Sequence, residues 1–265
     1  MTAETTKMHV SVLGERIEYA WVGPEAPESP TLVFLHEGLG CIDTWRDFPA
    51  DVAYATGTRA IVYSRAGYGG SSPVPVGPRS VRYLYHEAEV NLPALLNVLH
   101  IEQCILVGHS DGASIALIHS ATQNASGRVQ ALIVEAPHSF VEDMCITSIE
   151  QIKVAYETTE LREKLQRRHG ENVECAFWGW NGMWLDPEFR DFNIVELLPR
   201  VTIPMLAIQG LDDEYGTLRQ VEVLEGYCAG GVERLVLPAC GHSPHRDQRN
   251  ETLRAMTEFI KKSRA

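Results

Sequence analysis

The sequence predicts an α/β fold: a mostly parallel central sheet of about eight strands, helices on both faces and an inserted helical cap. Short apolar runs alternate with helical patterns along most of the 265 residues, which is typical of parallel strands joined by crossover helices. The first two runs flank Gly14-Glu15 and predict an antiparallel hairpin. Later, about 70 residues separate the run near Val134 from the run at Met205, far more than a crossover needs.

Each expected element rests on its own pattern of apolar residues. The hairpin runs alternate roughly, and the later runs are continuously apolar, as strands buried on both faces are. The predicted strands are His9 to Leu13, Arg16 to Val22, Thr31 to Leu35, Ala60 to Tyr63, Cys104 to Val107, Ala131 to Val134, Met205 to Ile208 and Arg234 to Leu237. The helical patterns cover Asp43 to Ala55, Val81 to His100, Asp111 to Thr122, Thr217 to Tyr227 and Asn250 to Lys262.

The long interval predicts a cap over residues 140–198, between a first core part at 1–139 and a second at 199–265. It is helical in pattern from Ile146 to Arg168 and then rich in tryptophan. Because pockets form at the carboxyl ends of parallel strands, a lid that closes over a site is the favoured interpretation. The alternative is a packing layer with no part in binding.

Composition narrows the range of partners. The net charge of -12 disfavours nucleic acid and anionic membrane surfaces. The residues from Met1 to Val10 lack a leader pattern, and the six scattered cysteines suit a reducing compartment, so we expect a cytoplasmic protein. We expect no cofactor or metal, a small-molecule substrate, and a monomer or homodimer.

A nucleophile motif stands directly after one predicted strand. Gly108-His109-Ser110-Asp111-Gly112 fits G-x-S-x-G and opens a predicted helix. A sharp turn from strand to helix exposes the serine oxygen, and the helix N-terminus faces the developing negative charge. The alternative, a serine that only caps a helix, is disfavoured by this context. Ser110 is therefore the predicted nucleophile.

The general base and its carboxylate partner are sought after the last two predicted strands. His242 follows Gly241 in the loop after the final strand and is preferred over His245, which is expected at the surface or at a helix start. Among the acids after the preceding strand, Asp213 is preferred because its spacing from Gly210 allows a tight turn. Asp212 is the fallback, and Glu214 is expected to be solvated.

Taken together, these motifs resemble the α/β-hydrolase fold superfamily from Thr31 to the C-terminus, in its capped branch of esterases, lactonases, haloperoxidase-like enzymes and carbon–carbon bond hydrolases. The matching stretches are Leu35-His36-Glu37-Gly38, Ser64 to Ser71, the nucleophile motif, Gln209 to Asp213 and Cys240-Gly241-His242. The resemblance implies a triad of Ser110, Asp213 and His242 in the order this fold uses.

The oxyanion loop departs from the family pattern. The resemblance places it at His36-Glu37-Gly38, with Glu37 at a position usually held by glycine. The expected donors to the oxyanion are the backbone N–H groups of Gly38 and Asp111. Ser64 stands where relatives often carry aspartate, so we expect Glu37 to form an ion pair with Arg65 instead. The alternative is that Glu37 meets a polar or cationic group of the substrate.

Other residues are weaker candidates for the substrate pocket. The Asp111 carboxylate is more simply explained as an acid at a helix N-terminus. The tryptophans are more often packing residues than ligand contacts. The candidates are His109, His138, Trp178, Trp180 and Trp184.

Three functions remain open from the sequence. The first is hydrolysis of a small-molecule carboxylic ester, thioester or lactone through an acyl-serine intermediate. The second is cleavage of a carbon–carbon bond in a vinylogous diketone. The third is a receptor-like member of the fold that binds a ligand with little turnover, which the presence of all three triad residues disfavours.

Overall fold

The central feature of the computed structural model, which describes residues 6–264, is one sheet of eight strands. The strands are β1 (Met8–Val12), β2 (Glu15–Val22), β3 (Thr31–Leu35), β4 (Ala60–Tyr63), β5 (Cys104–His109), β6 (Val129–Glu135), β7 (Met205–Gly210) and β8 (Val232–Leu237). Their order is β1-β2-β4-β3-β5-β6-β7-β8. The β1–β2 and β2–β4 pairs are antiparallel and the others are parallel. The predicted hairpin and mostly parallel sheet are confirmed.

Helices cover both faces of this sheet. They are α1 (Ile42–Trp45), α2 (Phe48–Thr56), α3 (Tyr83–His86), α4 (Leu92–Val98), α5 (Asp111–Thr122), α6 (Asp143–Thr158), α7 (Leu161–His169), α8 (Val173–Trp184), α9 (Arg219–Tyr227), α10 (Pro244–Asp247) and α11 (Arg249–Ser263). In β5, Leu106 packs into one apolar core, whereas Ile105 and Val107 pack into a second. Successive side chains of a strand point to opposite faces, so both faces of the sheet are buried.

Two of the predicted helices are interrupted. The pattern from Asp43 to Ala55 forms α1 and α2, which separate at Arg46, whose φ is 54°. The pattern from Val81 to His100 forms α3, a π-helical turn over Glu87–Asn91, and α4. Pro93 has no N–H to donate to the preceding turn, and the wider turn lies just before it.

The segment between β6 and β7 contains α6, α7 and α8, followed by the short 3₁₀ helices Pro187–Asp191 and Val195–Arg200. Phe140 forms an antiparallel bridge with Asn193, so the two ends of the segment lie side by side. Trp184 and Phe189 are buried in the same core as Leu106. The predicted cap region is thus partly continuous with the apolar core beneath it.

No helix within residues 6–264 is long and apolar enough to cross a membrane. Residues 1–5, which belong to the stretch without a leader pattern, lie outside the described residues.

Candidate active site

Ser110, His242 and Asp213 form a continuous hydrogen-bonded chain. Ser110 follows β5, Asp213 follows β7 and His242 follows β8. His242 Nε2 lies 2.9 Å from Ser110 Oγ, and His242 Nδ1 lies 2.9 Å and 3.0 Å from the two carboxylate oxygens of Asp213. Since the carboxyl ends of parallel strands share one edge of a sheet, residues distant in sequence meet here.

The turn at Ser110 is sharp and strained. Ser110 has φ 54° and ψ -117°, in a region that L-residues rarely adopt. A Cβ on Gly108 would lie 2.4 Å from the Gly112 carbonyl oxygen, and one on Gly112 would lie 2.1 Å from the Leu35 carbonyl oxygen. The two glycines of the motif are therefore required by close backbone approach.

Asp213 is held by groups that favour its charged form. Gln209 Nε2 donates to it at 2.7 Å, and the Tyr215 N–H donates at 2.8 Å. Burial opposes ionisation, but hydrogen bonding and charge from His242 outweigh it and hold the pKa of Asp213 below its usual value. Asp212, the fallback candidate, is exposed. Gln209 and Tyr215 were not predicted, although a glutamine inside a buried strand is a signal of a polar role.

The His242 loop is anchored from behind by His109. His109 Nε2 lies 2.6 Å from the His242 carbonyl oxygen, and the residue is 1% exposed. A carbonyl oxygen only accepts, so Nε2 carries the proton. The ring of Tyr215 packs 4.5 Å from the ring of His242 on another side. The first contact holds the backbone of the His242 loop, and the second packs against its imidazole.

The two predicted oxyanion donors lie on different segments: Gly38 is in a loop held by Arg65, and Asp111 is the first residue of α5. Within residues 6–264, the N–H groups of Gly38 and Asp111 have no hydrogen-bond partner. Arg65 donates to the His36 carbonyl oxygen at 2.7 Å and to the Glu37 carbonyl oxygen at 3.0 Å. Trp180 of α8 covers Gly38 so closely that a Cβ there would lie 2.0 Å from the indole nitrogen.

The predicted ion pair between Glu37 and Arg65 is wrong. Arg65 contacts backbone carbonyl oxygens of the loop, and the Glu37 carboxylate points instead toward His109, with Oε2 3.7 Å from Nδ1. Burial disfavours both charges, but their mutual attraction lowers the pKa of Glu37 and raises the pKa of His109. Ser64 Oγ donates to the carboxylate of Glu18 at 2.9 Å.

A cavity of about 210 Å³ opens onto Ser110 and His242. Its other walls include the predicted pocket residues Glu37, His138, Trp180 and Trp184, together with Leu39, Cys145, Ile149, Glu214 and Tyr215, which were not predicted. Burial, reinforced by the nearby His242, lowers the pKa of His138 to about 3. His138 is therefore a neutral wall residue at ordinary pH.

Two predicted pocket residues do not line this cavity. Trp178 donates to Glu174 at 3.0 Å and packs on Tyr156 and Phe177 within the helices between β6 and β7. His109 is the last residue of β5, directly before Ser110, and its side chain lies on the side of His242 that faces away from the cavity.

The Asp111 carboxylate joins the turn at Ser110 to α8. Trp184 Nε1 donates to Asp111 Oδ1 at 3.1 Å, and Asp111 is 1% exposed. Burial raises the pKa of Asp111, although Arg65 and the indole oppose the shift. The expected acid at the helix N-terminus is present, and it also contacts the segment predicted as a cap.

His245 lies at the start of α10, one of the two positions predicted for it, and it is buried rather than at the surface. It is 3% exposed, and its Nδ1 lies 2.7 Å from Glu135 Oε2. The Glu135 carbonyl oxygen accepts from the Ser110 N–H at 2.9 Å, so one residue supports both the nucleophile turn and α10. Burial opposes the charge of Glu135, but His245 lowers its pKa. Within residues 6–264, no group of three or more His, Cys, Asp or Glu side chains could hold a metal ion.

The chain belongs to the alpha/beta hydrolase family, whose model matches residues 32–255. It is 23% identical to a proline iminopeptidase of Lactobacillus helveticus, over 94% of this chain and 95% of that protein. Among solved structures, an esterase from Exiguobacterium antarcticum superposes with a TM-score of 0.74 at 19% identity, covering 97% of this chain and 100% of that one. A meta-cleavage product hydrolase from Pseudomonas fluorescens gives a TM-score of 0.74 at 17% identity, covering 97% and 98%.

Proposed function

We propose that this member of the family is a serine hydrolase that cleaves a small-molecule carboxylic ester, thioester or lactone through an acyl-serine intermediate. The observation that carries the proposal is the chain from Ser110 through His242 to Asp213, which opens onto a cavity. A serine hydroxyl needs an adjacent base to attack at neutral pH, and that base needs a third group to orient it. All three groups stand within hydrogen-bond distance.

The proposed reaction uses each group in turn. His242 removes the proton of Ser110 as its oxygen attacks the carbonyl carbon, and Asp213 stabilises the imidazolium that forms. The N–H groups of Gly38 and Asp111 then receive the negative oxygen of the tetrahedral intermediate. His242 returns the proton to the leaving oxygen or sulfur, and water later releases the acid by the same steps.

The cavity favours a small acyl group. At about 210 Å³ it lies below the volumes of about 300–1,000 Å³ that are usual for drug-sized ligands. Indole and aliphatic side chains form much of its wall, so the acyl part is expected to be apolar. All six cysteines are free, which supports the proposal of a reducing, cytoplasmic location.

A second candidate is hydrolysis of an N-terminal amide bond. The carboxylates of Glu37 and Glu214 both line the cavity and would suit a substrate ammonium group. The full-length similarity to a proline iminopeptidase points the same way. Cleavage of a carbon–carbon bond, by contrast, is favoured by no separate contact in the cavity.

A substrate panel tests the proposal. The purified chain and its Ser110→Ala variant are assayed with p-nitrophenyl acetate, p-nitrophenyl octanoate and proline p-nitroanilide. We expect faster turnover of acetate than of octanoate, slow or no release of nitroaniline, and a loss of roughly 10⁴-fold or more in Ser110→Ala. Preference for the anilide would establish the second candidate, and full activity in Ser110→Ala would reject both.

A further inference from the structure

A second cavity, of about 470 Å³, shares no lining residue with the first. It lies between the β1–β2 hairpin, the chain after β4, and the helical stretch from α3 to α4. Much of its wall is apolar, from Val12, Ile17, Val74 and Leu95. Arg65 and Arg79 also line it, as do two acids, Glu15, which is exposed, and Glu87, which is buried.

Neither arginine has a carboxylate partner within 4 Å among residues 6–264. Arg65 is 1% exposed and donates to two backbone carbonyl oxygens, and Arg79 makes one long contact to the Ala66 carbonyl oxygen at 3.5 Å. The Nε atoms of both are buried without a hydrogen-bond partner. A buried cation that no carboxylate contacts directly is costly, so this arrangement favours an anionic ligand.

Tyr83 adds a neutral donor to the same wall. It is 9% exposed, its hydroxyl has no hydrogen-bond partner in the described part of the chain, and it lines the cavity. The Arg79 guanidinium lies 4.7 Å above the ring of Tyr83 and 4.7 Å from that of Tyr68. The Arg79 guanidinium is thus close to two aromatic rings, one of which belongs to a residue of the same wall.

Glu87 limits the charge of the ligand. It lines the same cavity, and its Oε1 accepts from Asn91 at 2.7 Å rather than from either arginine. A dianion such as phosphate would be repelled by this buried carboxylate, whereas a single carboxylate would leave one guanidinium to offset Glu87.

We propose that this cavity is a second binding site, for a monocarboxylate with a short apolar tail. The carboxylate accepts hydrogen bonds from Arg79 and Tyr83 beside Arg65, and the tail lies along the apolar wall. Because Arg65 also holds the oxyanion loop through the carbonyl oxygens of His36 and Glu37, an occupant of this site contacts the support of that loop. The binding itself does not depend on the proposed hydrolysis.

Calorimetric titration of the full chain with sodium octanoate tests the site, with 1-octanol as the uncharged control. We expect saturable binding of octanoate and none of octanol, in the unsubstituted chain and in Ser110→Ala alike. Arg79→Met should weaken binding about tenfold or more, Arg79→Lys should retain part of it, and Glu87→Gln should strengthen it. Trp180→Ala, which alters the first cavity, should leave the affinity for octanoate unchanged.

Several results would overturn the site: no saturable binding, equal binding of octanol, or unchanged affinity in Arg79→Met. Weakening by Trp180→Ala but not by Arg79→Met would place the octanoate in the first cavity instead. Thermal melts accompany each variant. If Arg79→Met fails to fold, the direction of the Glu87→Gln effect decides, because only a carboxylate near Glu87 binds better once that charge is removed.

Discussion

Asp213 and Asp212 are neighbours in sequence with opposite surroundings. Asp213 is 6% exposed and lies 2.9 Å from His242, whereas Asp212 is exposed to solvent. Asp213→Asn places an amide against Nδ1 and favours the wrong tautomer of His242, so we expect kcat to fall by roughly 10³–10⁴-fold. Asp212→Asn, the matched control, should stay within about twofold. Kinetics on a nitrophenyl ester measure both, and the opposite ranking would move the acid to Asp212.

The protonation state of His109 governs its contact with Glu37. Because Nε2 of His109 donates to the His242 carbonyl oxygen, a neutral His109 would turn a lone pair on Nδ1 toward the Glu37 carboxylate 3.7 Å away. A proton on Nδ1 replaces this repulsion with an ion pair. The raised pKa of His109 and the lowered pKa of Glu37 agree with that state. The pair connects the oxyanion loop to the loop of His242.

This pair predicts a pH-dependent effect of Glu37→Gln. Since the folded-state pKa of His109 is raised, the stabilisation is complete below about pH 6.5 and is lost as the pH rises through the raised value. The lowered pKa of Glu37 keeps its share present above about pH 4.3, with loss on further acidification. Glu37→Gln should therefore lower the free energy of unfolding by about 1–3 kcal/mol at pH 6 and by less at pH 9.

Urea unfolding of the chain, Glu37→Gln, His109→Gln and the double variant at both pH values checks this prediction. The two single effects should sum to more than the effect of the double variant at pH 6. Equal stability of Glu37→Gln and the unsubstituted chain at both pH values, with only substrate preference changed, would favour a role for Glu37 in substrate contact alone.

At the scale of elements, α8 and the oxyanion loop meet through Gly38 and Trp180. An added Cβ at Gly38 would lie 2.0 Å from the indole, so Gly38→Ala must shift the loop or the helix. We expect kcat/KM to fall by roughly 10²-fold, as for loss of an oxyanion donor, and to recover partly in Gly38→Ala/Trp180→Ala. Gly226→Ala is the control, because its Cβ meets nothing within 4 Å. No loss in Gly38→Ala would show that this contact does not set the loop.

The sequence predicted strands and helices correctly where the local apolar pattern determines them. It missed the breaks that single residues introduce within a helical pattern. The strands Thr31–Leu35 and Ala60–Tyr63 have the bounds expected from their apolar runs. The break between α1 and α2 depends on a positive φ at Arg46, a residue whose type does not favour that conformation. Apolar periodicity alone carries no signal for such a break.

Over the whole molecule, parallel strands explain why the predicted triad could be assembled from sequence. Ser110 and His242 are 132 positions apart and still meet, because the loops after β5 and β8 share one edge of the sheet. The partner of Glu37 could not be chosen in this way. His109, Arg65 and the oxyanion loop all lie at that edge, and which side chain faces which is decided by backbone direction within each loop.

Covalent labelling tests most directly whether Ser110 is the nucleophile that attacks the substrate carbonyl. The chain is treated with a fluorophosphonate, and the modified residue is located by peptide mass spectrometry. We predict one adduct per chain, on Ser110, and labelling slower by roughly 10³-fold or more in His242→Gln, which lacks the base. An adduct on another residue of the cavity, or unlabelled Ser110 in a preparation that still hydrolyses esters, would contradict the assignment of Ser110 as the nucleophile.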